Sequence, residues 1–300
     1  MKLEAGIKEI SCSTLKIKEP MANHTSLKIG GPADYFIVPG EEEELKELLH
    51  FCRNEFIPFF VFSGGTNILV SDKGIRGLAV KIGEAFKFSD ISGSRITAGA
   101  GMPLPVLAAR AAREGLSGLE FAAGIPGAVG GAVLINAGAY GNCMADLIRR
   151  VKVLTWQGEI KIINYDELNF GYRHSSLIRE NWIVLEAEMK LVRGEYISIK
   201  QKMEKLLSQR RKNHPVQPSA GSVFRNPLEE SAGRLIERSG CKGLRVGDAQ
   251  VSHKHANFII NLGRARATDY LEVITRVRER VFEEFGVMLE PEINMVGEES

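Results

Sequence analysis

The sequence lacks most of the signals that announce a function outright. Its four cysteines, Cys12, Cys52, Cys143 and Cys241, lie far apart with no Cys-x-x-Cys pair. That excludes a zinc cage or redox dithiol of the usual spacing and fits a reducing cytoplasm. Neither sign of charge dominates, with 39 Lys plus Arg against 37 Asp plus Glu. No long-range field therefore draws nucleic acid or an anionic membrane, and any anion has to be bound locally. No apolar run approaches the roughly 18 residues that span a bilayer. The N-terminal MKLEAGIKEISCSTLKIKEP interleaves charge with apolar residues instead of holding an uninterrupted h-region. The expectation is a cytoplasmic protein, neither exported nor inserted in a membrane.

The common phosphate motifs are missing as well. No G-x-x-x-x-G-K-[ST] occurs, which removes the P-loop kinases and NTPases. Gly124-Ile-Pro-Gly127-Ala-Val-Gly130 has the wrong first spacing for a dinucleotide fingerprint, and no acidic residue follows an amphipathic helix about 20 residues on. The Gly99-Ala-Gly101 pair lacks its third glycine. His253 and His255 alternate within a strand-like segment without a cysteine or carboxylate cluster nearby, so no metal is assigned.

What is present is a globular chain of 300 residues, 44% of them hydrophobic, enough for two or three units. Glu41 to Phe56 is predicted as a helix, with Leu45, Leu48, Leu49, Cys52 and Phe56 on one face and glutamates at its positive end. Strands are predicted at Pro58–Phe62, Ile68–Val70, Gly77–Ile82, Arg95–Gly99, Val151–Trp156, Glu159–Ile163 and Ile183–Leu191. Further helices are expected over Pro105–Glu114, Tyr196–Lys212, Ala232–Arg238 and Thr268–Phe285, the last stopped by Gly286. His214–Pro218 is a Pro-containing stretch that reads as a linker or domain entry. The pattern is mixed α+β, not regularly alternating.

Two glycine-bearing stretches stand out. Ser63-Gly-Gly-Thr breaks an apolar run between two strands, and Ala122–Asn142 carries glycines at 124, 127, 130, 131, 138 and 141. Such backbone can turn sharply and lie against a flat or phosphorylated ligand. Read alone, either stretch is also compatible with a packed loop needing positive φ.

The residues at this point resemble a known family. SGGTNILV at Ser63–Val70 and AGIPGAVGGAVLINAGAYG at Ala123–Gly141 are similar to the flavin-binding core of UDP-N-acetylenolpyruvoylglucosamine reductases. GYRHS at Gly171–Ser175, PSAGSVFRNP at Pro218–Pro227 and LEPEI at Leu289–Ile293 match the same family in the same order. The chain also resembles the shorter, second type of that family, because the insertions of the longer branch are missing.

The resemblance implies an α+β fold: a two-subdomain FAD-binding module of the vanillyl-alcohol-oxidase (PCMH) type followed by a C-terminal α+β substrate-binding domain. Boundaries are expected at 1–82, 83–195 and 196–300. It implies non-covalent FAD held by Ser63, Gly64, Gly65, Thr66, Asn67 and Ile68 on the pyrophosphate side. Gly124, Ile125, Pro126, Gly127, Gly130, Gly131, Asn136, Ala137 and Gly138 would lie along the flavin. NADPH is implied as reductant, a UDP-sugar enolpyruvyl ether as substrate, and a monomer as the working unit.

Hydride delivery from reduced flavin N5 to such an ether leaves negative charge on the neighbouring carbon and its carboxylate. A fixed guanidinium suits that charge better than an ammonium, and Arg173 is the candidate. By resemblance Ser222 donates the proton, Glu292 assists near the enol carboxyl, and Tyr172, Gly221 and Asn226 contact substrate. Taken singly, Ser222 is a turn serine, Arg173 a surface cation and Glu292 a solvent-facing residue; only the combined match overturns this. Two rivals stay open: another flavoenzyme of the same fold, and a nucleotide-binding regulator without catalysis.

Overall fold

The computed structural model describes residues 2–10 and 13–298. Cys12 lies outside them, and Cys52, Cys143 and Cys241 are free thiols. Packing divides the chain into two compact units, neither continuous in sequence: Met1–Lys16, Phe36–Gly64 and Gly77–Arg210 form one, and Ile17–Tyr35, Gly65–Arg76 and Arg211–Ser300 the other. Among the described residues no helix is long and apolar enough to cross a membrane.

The first unit contains α1 (Lys2–Ile10), α2 (Glu42–Asn54), α3 (Leu104–Arg113), α4 (Val129–Leu134), α5 (Ser176–Arg179) and most of α6 (Tyr196–Asn213). In α2, Leu45, Leu48, Leu49 and Cys52 are fully buried, and burial pushes the Cys52 thiol up to about 12. Glu44 turns back to cap the entry, accepting from the Gly40 N–H at 2.6 Å. Phe56 does not share that face. The helix ends at Asn54, Phe56 takes a left-handed φ of 55°, and its side chain is 93% exposed. Once the chain leaves helical dihedrals, i+4 spacing no longer decides which way a side chain points.

A five-stranded sheet runs in the order Ile160–Asn164, Ile148–Leu154, Ile183–Lys190, Arg95–Gly99, Ser89–Ser92. Every neighbouring pair is antiparallel. Glu188 on its middle strand is nearly buried and meets Arg150 at 2.8 Å and Arg95 at 3.3 Å. Elsewhere in this unit Phe59–Phe62 pairs in parallel with Leu78–Lys81.

The second unit is built around α8 (Ala267–Phe285), with α7 (Ala232–Arg238) and a three-stranded sheet of Arg245–Val246, Ala249–Val251 and Ile259–Asn261. Ile274, Val277 and Val281 are buried, Leu271 and Phe285 pack at the edge, and Gly286 ends the helix at φ 68°. Asp72 accepts from the Ala267 and Thr268 N–H groups at 2.7 and 3.0 Å, satisfying two orphan donors of the first turn. Ile68–Val70 pairs in parallel with Asn294–Val296.

Tyr270 is 0% exposed in this core, and among the described residues its hydroxyl has no hydrogen-bond partner. Burial drives the phenol upward, so it stays neutral. An unpaired buried hydroxyl costs about 1–3 kcal/mol of desolvation that phenylalanine avoids. Tyr270→Phe should therefore match or exceed wild type in urea unfolding, by about 1 kcal/mol; a loss of that size would mean that the hydroxyl is bonded.

Candidate active site

In the first unit, Ser63 closes the strand Phe59–Phe62, and Gly64 beyond it is exposed. The second glycine stretch follows as a 3-10 turn over Glu120–Gly124, a half-buried Ile125, exposed Pro126 and half-buried Gly127, then α4. Asn136 is in left-handed conformation at φ 45° and is 7% exposed. Its side chain is committed to the protein: Nδ2 donates to the Gly171 carbonyl at 2.9 Å, and Oδ1 accepts from the Ala145 N–H at 2.9 Å. Asn136 thus fastens the Gly171–Ser175 segment to the second glycine stretch. Ser175 adds a hydrogen bond from its hydroxyl to the Leu134 carbonyl at 2.6 Å.

That attachment fixes Arg173. Its backbone takes φ 53°, its guanidinium carbon lies 5.5 Å from the centre of the Tyr172 ring, and Nη1 donates to the Gly138 carbonyl at 3.5 Å. A π face and a carbonyl therefore both bear on the orientation of the cation. Tyr172 itself is exposed. Ala137 is buried, and Gly138 pairs with Cys143.

Helix α6 lies along the same stretch, which the sequence reading did not foresee. Tyr140 donates to the Leu206 carbonyl at 3.2 Å. Lys202 stands 3.7 Å from Glu120, whose carboxylate also accepts from the Ser117 hydroxyl and the Gly118 N–H. A Cβ on Gly124 would come within 2.8 Å of Arg210 Cδ. The polar character of α6 is the only sequence signal for this, and it points equally to solvent.

In the second unit, the remaining predicted residues fall on three segments joined through their backbones. Gly65 has φ +60°, and a Cβ there would strike the His24 carbonyl, so this glycine is demanded by the protein's own chain. Ser26 then bridges two of the segments: its N–H donates to the Gly65 carbonyl at 2.9 Å, and its hydroxyl to the Ser219 carbonyl at 2.7 Å. Thr66 is half-buried and Ile68 buried. Asn67 donates through Nδ2 to the Glu292 carbonyl at 3.3 Å, and its own carbonyl accepts from the Asn294 N–H at 3.1 Å.

Gly221 turns at φ +80° with open space where a Cβ would stand, and half-buried Ser222 follows. Beyond it the Val223 carbonyl accepts from the Glu292 N–H at 2.7 Å, and the Arg225 N–H donates to the Glu290 carbonyl at 2.9 Å. The segments bearing Ser222 and Glu292 therefore run side by side as a short antiparallel pair. Asn226 Oδ1 accepts from the Ala232 N–H at 3.1 Å at the start of α7. His255 serves packing here: its ring centre lies 5.3 Å from that of His214 and 4.9 Å from that of Phe258, and burial lowers its pKa.

The family profile described as FAD binding domain matches residues 33–164, and that described as UDP-N-acetylenolpyruvoylglucosamine reductase, C-terminal domain, matches residues 213–296. The chain is 47% identical to the UDP-N-acetylenolpyruvoylglucosamine reductase of Caldanaerobacter subterraneus over 99% of this chain and 97% of the relative. It is 41% identical to that of Halalkalibacterium halodurans over 99% of each. The crystal structure of the reductase from Thermus caldophilus aligns at a TM-score of 0.82 and 39% identity, covering 95% of this chain and 98% of that one. The fold is thus α+β, with an FAD-binding module of the vanillyl-alcohol-oxidase type and a C-terminal domain characteristic of this family.

The residues fit an FAD in one testable respect. A Cβ on Gly131 would meet nothing nearer than Ser63 Oγ at 3.6 Å, whereas one on Gly130 would press to 2.8 Å of Ala100 Cβ. Gly130 is therefore spent on packing, and Gly131 leaves room on a surface shared with the first glycine loop. Gly131→Ala should fold with unchanged or slightly higher thermal stability, since alanine favours a helix by about 1 kcal/mol over glycine, yet purify with less flavin absorbance. Gly130→Ala should instead lose stability. Full flavin content in Gly131→Ala would place the cofactor elsewhere.

Proposed function

We propose, since the chain belongs to the family of UDP-N-acetylenolpyruvoylglucosamine reductases, that it reduces UDP-N-acetylglucosamine enolpyruvate to UDP-N-acetylmuramate in the cytoplasm, with NADPH as electron source. The observation carrying this reading is the way each unit assembles its own motifs. Asn136 binds the Arg173 segment to the second glycine stretch in one unit. The backbone pairing of Val223 with Glu292 joins the Ser222 and Glu292 segments in the other. Functionally, 1–82 and 83–195 are read as the two FAD-binding subdomains and 196–300 as the substrate-binding domain.

The cofactor would be held without a covalent bond by Ser63, Gly64, Gly65, Thr66, Asn67 and Ile68 and by the stretch from Gly124 to Gly138. Asn136 also fastens the Gly171 segment, and its amide keeps a second N–H and a second lone pair beyond the two bonds it makes. When bound, FAD supplies the hydride chemistry. The chain's own residues do the rest. Hydride addition to the methylene carbon of the enolpyruvyl group puts charge on the adjacent carbon and its carboxylate. Arg173, oriented by Tyr172 and the Gly138 carbonyl, offers that charge a planar pair of donors. Glu292 orients the enol carboxyl end.

Ser222 holds the proton for the carbon. A serine hydroxyl is a weak acid, but an enolate carbon is basic enough to take its proton when a cation stands by. Gly221 allows the backbone to approach the substrate, Tyr172 contributes a wall, and Asn226 contributes its amide.

Two variants test the assignment. Ser222→Ala should leave FAD content and reduction of the flavin by NADPH near wild type, while reoxidation by the enolpyruvyl substrate falls by about 10²- to 10⁴-fold, the usual worth of general acid catalysis. Rapid-mixing absorbance separates the two halves; an unchanged reoxidation rate would end the proton-donor role. Arg173→Lys keeps the charge but loses the two-pronged geometry, so it too should slow reoxidation selectively. Wild-type reoxidation in that variant would remove Arg173 from the site.

A further inference from the structure

The geometry points to Asn257 as the positioning residue that sets the proton donor of this reaction, an inference that rests on the function proposed above. Asn257 lies in the segment His255-Ala-Asn-Phe-Ile-Ile and is 4% exposed. Its side chain clamps one residue at both ends: Oδ1 accepts from the Phe224 N–H at 2.9 Å, and Nδ2 donates to the Phe224 carbonyl at 2.8 Å. Its own carbonyl accepts from the Val223 N–H at 2.9 Å. Three hydrogen bonds from one residue thus grip the two residues that follow Ser222.

The opposite edge of the same two residues faces the Glu292 segment, through the Val223 carbonyl to the Glu292 N–H at 2.7 Å and an isolated antiparallel bridge between Phe224 and Pro291. Val223 and Phe224 are 1% and 2% exposed, so their backbone groups cannot turn to water instead. Asn257 therefore locks on one side the segment that Glu292 meets on the other, and Ser222 stands between this clamp and the turn at Gly221, which takes φ +80°. A proton donor needs placement to a fraction of an ångström, and a misplacement of about 1 Å can cost about 100-fold in rate. Asn257 is 4% exposed and is assigned no contact with substrate or cofactor; it acts through Ser222.

Asn257→Asp tests this in the holoenzyme, because it keeps shape and acceptor and removes only the donor to the Phe224 carbonyl. When ionised, the carboxylate faces that carbonyl unfavourably. When protonated, its O–H restores the donor, and burial raises the pH at which this happens. At pH 8 flavin reoxidation by substrate should be at least about tenfold slower than wild type. Flavin reduction by NADPH and FAD content should hold, and the solvent deuterium isotope effect on reoxidation should rise. The deficit should shrink as pH falls toward 5.5. His255, whose Nδ1 accepts from the Asn257 N–H at 3.2 Å, with Lys242 and Glu237 acting on it, titrates in wild type too; wild type over the same range is the baseline. If the aspartate variant does not fold at pH 8, Asn257→Ser is read in the same way, without the pH recovery.

Equal loss in both half-reactions, loss of FAD in proportion to rate, or wild-type reoxidation in either variant overturns the inference. Wild-type protein that fails to reoxidise with the enolpyruvyl substrate instead overturns the proposed function. The two failures are read from different samples.

Discussion

Backbone that leaves a helix or ladder without reaching water must find its hydrogen bonds elsewhere, and this protein meets that demand with buried asparagine side chains. Asn136 serves Gly171 and Ala145, Asn257 serves both ends of Phe224, and Asn261 donates to the Leu27 carbonyl while accepting from the Gly263 and Ala265 N–H groups. An amide suits the task because it carries an acceptor and two donors on a short, stiff stem. Asn136 and Asn257 each pin an irregular segment, the one bearing Arg173 and the one following Ser222.

The near balance of charge has a counterpart in how the cations are used. Arg150 and Arg95 are drawn to Glu188 on the sheet, Lys202 to Glu120, and Arg76 to Asp34. Arg173 meets an aromatic face and a carbonyl, both of which orient a guanidinium.

The glycines divide in a similar way. Gly65 and Gly130 are required because backbone or a methyl group from elsewhere in the same unit occupies the place of a Cβ, while a Cβ on Gly131 would meet only Ser63 Oγ at an ordinary contact distance and one on Gly221 would meet nothing. A glycine-rich stretch is therefore not uniformly a ligand cradle. Part of it lets the chain pack against itself, and that packing presents the remainder.

The sequence by itself determined what depends on neighbours within a few residues. The apolar period of α8 and its stop at Gly286, the helix α7, the strands Arg95–Gly99 and Ile68–Val70, and the motifs that identify the family were all legible, because helical period, strand alternation and turn chemistry act locally. Phe56 marks the limit of that legibility, since its spacing fits a helix that had already ended. Tertiary structure decided the partners. Nothing in Ile68–Val70 names Asn294–Val296 as its parallel neighbour, and nothing in the segments 17–35, 65–76 and 211–300 announces that they share one core. Asn257 was visible only as a polar residue inside an apolar run. Its role emerged when folding brought Phe224, distant in sequence, to both ends of its amide, because burial forces a pairing that the local sequence does not specify.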